Sequence, residues 1–223
     1  MERLNSIVHV RDYFNAEDSK KVDNLIQNTM NKHSVITKTH SLRVAKYANY
    51  IGKYMGLSKN KIDLLRIAGL LHDVGKLNVP NELLEKPGRL SGDEWKVMVN
   101  HAKDGPWIVK LTGSYNSLSE EGKKTMDYYV LNAVGDHHLC YGGGGYGVSK
   151  TYGADIPFFA RLLCVIDAFD AMTSARPYSN YRKTLSEAMG ELKNNSETQF
   201  DPKVVNKFIR ALQFGGSRLS SPN

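Results

Sequence analysis

Residues 58–76 read SKNKIDLLRIAGLLHDVGK, and this stretch decides the fold class. Ser58 is a residue of the kind that opens a helix. Ile62, Leu65, Ala68, Leu70 and Leu71 then recur largely at the three-and-four spacing of a buried helical face. The run ends on His72-Asp73, two polar side chains closing an apolar helix, and Gly75 stands where a helix terminus favours a left-handed residue. Burying such a doublet is costly unless something satisfies both groups.

The same helical grammar extends in both directions. Upstream, Ile36, Leu42, Val44, Ala45, Ala48, Ile51 and Met55 predict one long helix over 34–55, closed by Gly56. Downstream, Ser91 with Glu94 is a capping box, followed by Trp95, Met98, Val99 and Ala102. A fourth helix is predicted over 119–138 and a long apolar fifth over 156–174. Thr184 with Glu187 caps a sixth, and Asp201-Pro202 opens a last one through Val204, Val205, Phe208, Ile209 and Leu212. Between them, 78–90 with Pro80, Pro87 and Gly88 reads as a structured connection with one helical turn. Residues 141–153, with six glycines, read as a loop. Strand signals are scarce, so the fold is all-α. The expected organisation is a leader segment over 1–33, helical from Asp18 to Met30, a main domain over 34–213, and a frayed polar tail over 214–223.

The 223 residues are 41% hydrophobic and 24% charged, the balance of a globular domain long enough to bury a core without staples. Cys140 and Cys164 form no CxxC pair or disulfide framework. With neither a basic-then-apolar leader nor an 18-residue apolar run, a cytoplasmic protein away from membranes is expected. The net charge of +7 favours anionic partners, but the basic residues are scattered, which argues against duplex nucleic acid.

The chemistry lies in the histidines. His40, His72, His101, His137 and His138 fall at helix ends or beside loops, with Asp73 next to His72 and Asp167 inside the apolar run Leu162-Leu163-Cys164-Val165-Ile166. A single histidine on an apolar helix is usually a satisfied core residue. Two polar doublets and an aspartate in apolar settings are better explained together, as ligands of iron, manganese or zinc contributed by different helices of a bundle. His9 and His33 show no such context.

The string Leu70-Leu71-His72-Asp73-Val74-Gly75-Lys76, preceded by His40 and followed by Asp167, resembles the HD superfamily of metal-dependent phosphohydrolases. More narrowly, the chain is similar to the HD-GYP branch, whose members hydrolyse cyclic dinucleotides, chiefly cyclic di-GMP. Lys86-Pro87-Gly88-Arg89-Leu90, His101 with Gly105, His137-His138, the run Ile166 to Ser174, Arg176-Pro177-Tyr178 and Phe200-Asp201-Pro202 keep the family's order. The resemblance implies a bundle of about seven helices with additional C-terminal helices. It also implies two ions, iron or manganese, that ready a hydroxide for in-line attack. His40, His72, Asp73 and Asp167 would hold one ion, and Asp73 would bridge to a second held by His101, His137 and His138. Asp73 and Lys76 are the implied catalytic residues, and Lys76, Arg176 and Tyr146 the implied substrate contacts.

Departures from the family bear on substrate. Glutamate and the sequence Asp-Gly-any-Gly-Tyr-Pro would follow the histidine doublet; this chain has Leu139 and then Gly142-Gly143-Gly144-Gly145-Tyr146-Gly147. Replacing proline by Gly147 frees a backbone dihedral, so a more mobile loop is expected. Ile36 stands where three-ion members carry a glutamate, which implies two ions and, by analogy, linear pGpG as the product. Ser179 replaces a second basic residue after Arg-Pro-Tyr. The altered loop keeps two alternatives open: a signalling module that binds a cyclic dinucleotide or a protein without turnover, and an HD phosphohydrolase of another nucleotide. Pairing with a second copy or a signalling partner is also left open.

Overall fold

The computed structural model describes residues 13–174 and 182–215. It is all-helical: α1 (Ala16–Lys32), α2 (Val35–Tyr54), α3 (Lys59–Leu71), α4 (Asn81–Leu84), α5 (Gly92–Lys110), α6 (Gly113–Asn116), α7 (Glu120–Thr125), α8 (Asn132–Asp136), α9 (Phe158–Thr173), α10 (Leu185–Asn194) and α11 (Pro202–Gly215). Among the described residues there is no strand; two isolated bridges, Leu139 with Gly145 and Ser196 with Phe200, are the only β pairing. None of their helices is long and apolar enough to cross a membrane.

The caps fall where the sequence puts them. Ser34 and Ser58 accept from the backbone N–H groups of Thr37 and Lys61, and Ser91–Glu94 and Thr184–Glu187 form complete capping boxes. α2 and α3 pack as an antiparallel hairpin, its sharp turn supplied by Gly56 at φ 71°. α9 is apolar nearly all round and lies at the centre, burying Leu162, Leu163, Val165, Ile166 and Phe169. α1, expected as a leader, buries Val22, Leu25, Ile26 and Met30 in the same cluster of core side chains as α9.

Two local expectations are corrected. Gly75 does not have a positive φ; it lies in the 3-10 turn Val74–Asn78, and its need for hydrogen at Cα is steric. A Cβ there would stand 1.9 Å from the carbonyl oxygen of His101, so glycine lets the turn after the doublet press against α5. The single helix expected over 119–138 is interrupted by a π-helical segment, Met126–Leu131, between α7 and α8. Each residue turns a helix by roughly 100°, so the widened segment resets the face that α8 presents just before His137.

Candidate metal centre

Five segments of chain bring seven donors to one place. His40 comes from α2, His72 from the end of α3 with Asp73 beside it, His101 from α5, His137 and His138 from the end of α8, and Asp167 from α9. His40 Nε2 lies 3.1 Å from His72 Nε2 and 3.0 Å from Asp167 Oδ1. Asp73 stands between two groups: its Oδ2 is 3.6 Å from His40 Nε2 and 3.4 Å from His72 Nε2, while its Oδ1 is 3.5 Å from His101 Nε2. Three sets of donor atoms each converge within 4.8 Å: His40 with His72 and Asp167, His101 with His137 and His138, and His72 with Asp73 and His137, which links the other two.

Local helix geometry aims the rings. His72, His101 and His137 each place Nδ1 against the carbonyl three residues earlier, those of Gly69, Met98 and Val134, at 2.9, 2.7 and 2.8 Å. A carbonyl only accepts, so Nδ1 carries the proton and Nε2 presents a lone pair to the centre. The Nε2 atoms of His101 and His137 are buried with no hydrogen-bond partner. Such orphaned acceptors, with a shared carboxylate between them, are a donor set that fits divalent transition-metal ions. His40 is oriented differently: its Nδ1 meets Asp170 Oδ2 at 2.7 Å, and Arg43 grips the two oxygens of Asp170 from Nε and a terminal nitrogen at 2.6 and 2.8 Å.

The electrostatics follow from burial and from these partners. Burial pushes the imidazoliums of His101 and His137 down to about 4 and lowers His72 and His138 as well. His40 is also disfavoured as a cation by burial, but its hydrogen bonds to Asp167 and Asp170 overcome this and raise it to about 9. For Asp73, burial opposes ionisation; Lys76 foremost, then His72 and His101, hold its carboxyl well below the usual range. Asp167 is likewise kept ionised against burial, chiefly by His40.

The centre floors a cleft of about 720 Å³. Lys76 reaches into it with Nζ 2.6 Å from Asp73 Oδ2. Tyr146 flanks the floor, its ring tilted over His138 at 4.5 Å. The loop that carries Tyr146 is fastened rather than free. Tyr141 N–H and Gly142 N–H donate to Gln199 and Thr198 carbonyls, Tyr146 N–H to His138, and Val148 and Ser149 N–H groups to Asp136 Oδ1. Its glycines are required in two ways: Gly143, Gly144 and Gly145 have φ of 103°, 83° and 76°, a backbone that other residues rarely adopt, and a Cβ at Gly142 would lie 2.8 Å from the carbonyl oxygen of Glu197. The expectation of mobility at Gly147 thus meets a backbone tied down on both sides.

All seven expected donors, together with Lys76 and Tyr146, meet in this region; Arg176, Tyr178 and Ser179 lie outside the described residues. Sequence reading missed Arg43 and Asp170, although each sits three residues beyond a donor on the same helix. It also set aside His33, which lies within electrostatic reach of Asp73 and Lys76 at the α1–α2 corner.

A helical bundle that converges histidines and aspartates from separate helices onto a charged cleft defines a metal-site domain, and the family can be stated. The chain belongs to the HD domain family, which it matches over residues 20–204. It is related to the HD-GYP cyclic-dinucleotide phosphodiesterases. It is 30% identical over 204 residues to 3'3'-cGAMP-specific phosphodiesterase 2 of Vibrio cholerae, covering 92% of this chain and 36% of that one. It is 35% identical over 168 residues to the cyclic di-GMP phosphodiesterase response regulator RpfG of Xanthomonas campestris, covering 75% and 41%. The chain therefore spans less than half the length of these relatives. In fold it is similar to Bd1817, an HDG"Y"P protein of Bdellovibrio bacteriovorus, with a TM-score of 0.60 at 19% identity over 92% of this chain and 64% of that one.

Proposed function

We propose that the chain is a metal-dependent phosphodiesterase that opens a cyclic dinucleotide, cyclic di-GMP foremost, to linear pGpG. The observation that carries this reading is Asp73, whose two oxygens face two separate histidine groups on the floor of the cleft. In this reading His40, His72, Asp73 and Asp167 hold one ion, and Asp73, His101, His137 and His138 a second. Iron or manganese ions bound there supply Lewis acidity to the phosphate and lower the pKa of water at neutral pH.

The remaining work falls to the chain. Carbonyls of Gly69, Met98 and Val134 fix the histidine tautomers, and Asp170, clamped by Arg43, does the same for His40. Lys76 places a cation at the floor, where it meets a phosphodiester oxygen; Arg176 is proposed as a second cation facing the nucleotide. Ile36 lines the cleft with an apolar side chain 43% exposed, unable to add a ligand, which supports two ions and a reaction that stops at the linear product. The altered loop leaves room for another cyclic dinucleotide, and the similarity to the Vibrio phosphodiesterase makes 3'3'-cGAMP the further substrate to test.

Protein purified anaerobically with iron or manganese is assayed for metal and for turnover of cyclic di-GMP and 3'3'-cGAMP. His72→Ala and Asp73→Ala lose metal and at least ~100-fold of activity together, while Lys76→Ala keeps its metal and slows roughly 10- to 100-fold. Full turnover in either metal-centre variant, or metal binding without turnover of any cyclic dinucleotide, contradicts the proposal.

A further inference from the structure

We infer that Trp95 is the platform on which one purine base of the substrate stacks; this rests on the phosphodiesterase reading and adds the base to the phosphate. Trp95 lies in the first turn of α5, fixed by the Ser91–Glu94 capping box. Glu94 is in turn held through both oxygens by Lys86 at 2.6 Å, so the turn that carries the ring is tied to the connection before it. The indole lines the cleft yet is 50% exposed.

A large apolar ring on a capped turn, left half in water inside a cleft, is an unfilled stacking surface. Three further observations define what fills it. Gly92, one turn earlier on the same face, also lines the cleft, and a Cβ there would meet nothing within 4 Å, so the approach over the preceding turn is open. Trp95 and Tyr146 meet at right angles, 88° with centroids 5.9 Å apart, and Tyr146 leads on to His138. A base on the indole thus has its phosphate directed along the tyrosine to the donor cluster. Arg89 lines the same cleft with no ion pair among the described residues. A guanidinium can give two parallel N–H groups to O6 and N7 of guanine, whereas adenine offers only N7 as an acceptor there. The ligand class is a purine nucleotide, with guanine preferred at this subsite.

The chain has two tryptophans, so Trp107→Phe, an exposed position outside the cleft, leaves Trp95 as the sole indole reporter. In this holoenzyme, GMP quenches the fluorescence saturably and ribose 5-phosphate leaves it unchanged. In the otherwise native chain, Trp95→Ala raises KM for cyclic di-GMP about 10- to 100-fold with kcat and metal content little altered, and Trp95→Tyr recovers most of the loss. Equal quenching by ribose 5-phosphate, no quenching by GMP, or an unchanged KM overturns the platform. Absence of turnover in the native chain counts against the phosphodiesterase alone, because the GMP titration still decides whether a base lies on Trp95.

Discussion

Asp73 and the histidines around it hold opposed protonation states in one small volume, and that has a consequence for the metal-free chain. Burial lowers His72, His101, His137 and His138 from 6.5, two of them to about 4. Between about pH 6.5 and 4 the unfolded chain therefore binds protons that the folded chain refuses, so stability falls as the pH drops through that window. His40 has the reverse sign. Raised to about 9, it contributes stability that is complete below 6.5 and is lost as pH rises through 9. Thermal melts of chelator-treated protein should peak near pH 6.5, with the acid side steeper because five lowered histidines, His33 among them, act there, against His40 between 6.5 and 9. A melting temperature that is flat from pH 6.5 to 4 would show that these rings are not buried as described. At this scale the sequence was informative in part: His72-Asp73, His137-His138 and Asp167 stood out because they interrupt apolar settings, whereas His40 and His101 stood out only by their place at helix ends and by the family resemblance. Arg43 and Asp170 did not: an arginine on a helix looks like a surface residue, and Asp170, although it interrupts the same apolar helix as Asp167, shows its role only when the fold pairs it with Arg43 and His40.

Among the elements, the loop after His138 sets the geometry of the second histidine group. Gly144 and Gly145 share left-handed backbone but differ in their surroundings. A Cβ at Gly144 meets open space, whereas one at Gly145 would stand 2.2 Å from the carbonyl oxygen of His138. Gly144→Ala should cost about 1–2 kcal/mol of stability through backbone strain and leave metal content unchanged. Gly145→Ala should also displace His138 and weaken metal binding by roughly tenfold or more, as loss of a supporting contact commonly does. Calorimetry with metal titration separates the two; identical metal affinity in both variants would mean the loop does not position His138. The long helices were legible from capping residues and apolar spacing, down to both capping boxes, whereas the single turn α6 was not. The π segment was not, since Met126, Val130 and Leu131 satisfy an ordinary helical pattern and only packing reveals the wider turn. Gly75 illustrates the same limit: the residue marked a special position, but its partner, the His101 backbone, lies 26 residues away in sequence.

For the whole molecule, the bundle acts as a frame that carries donors from α2, α3, α5, α8 and α9 to one floor while leaving a cleft above it. The central helix supplies Asp167 to the floor and Asp170 to its support, so core packing and site geometry depend on the same residues' backbone. The most direct test is a crystal structure of protein loaded anaerobically with manganese or iron, with anomalous scattering used to locate and identify the ions. Two ions should appear, one against His40, His72 and Asp167, the other against His101, His137 and His138, with one oxygen of Asp73 on each. A single ion, or none while Asp73 stays paired only with Lys76, would contradict the account.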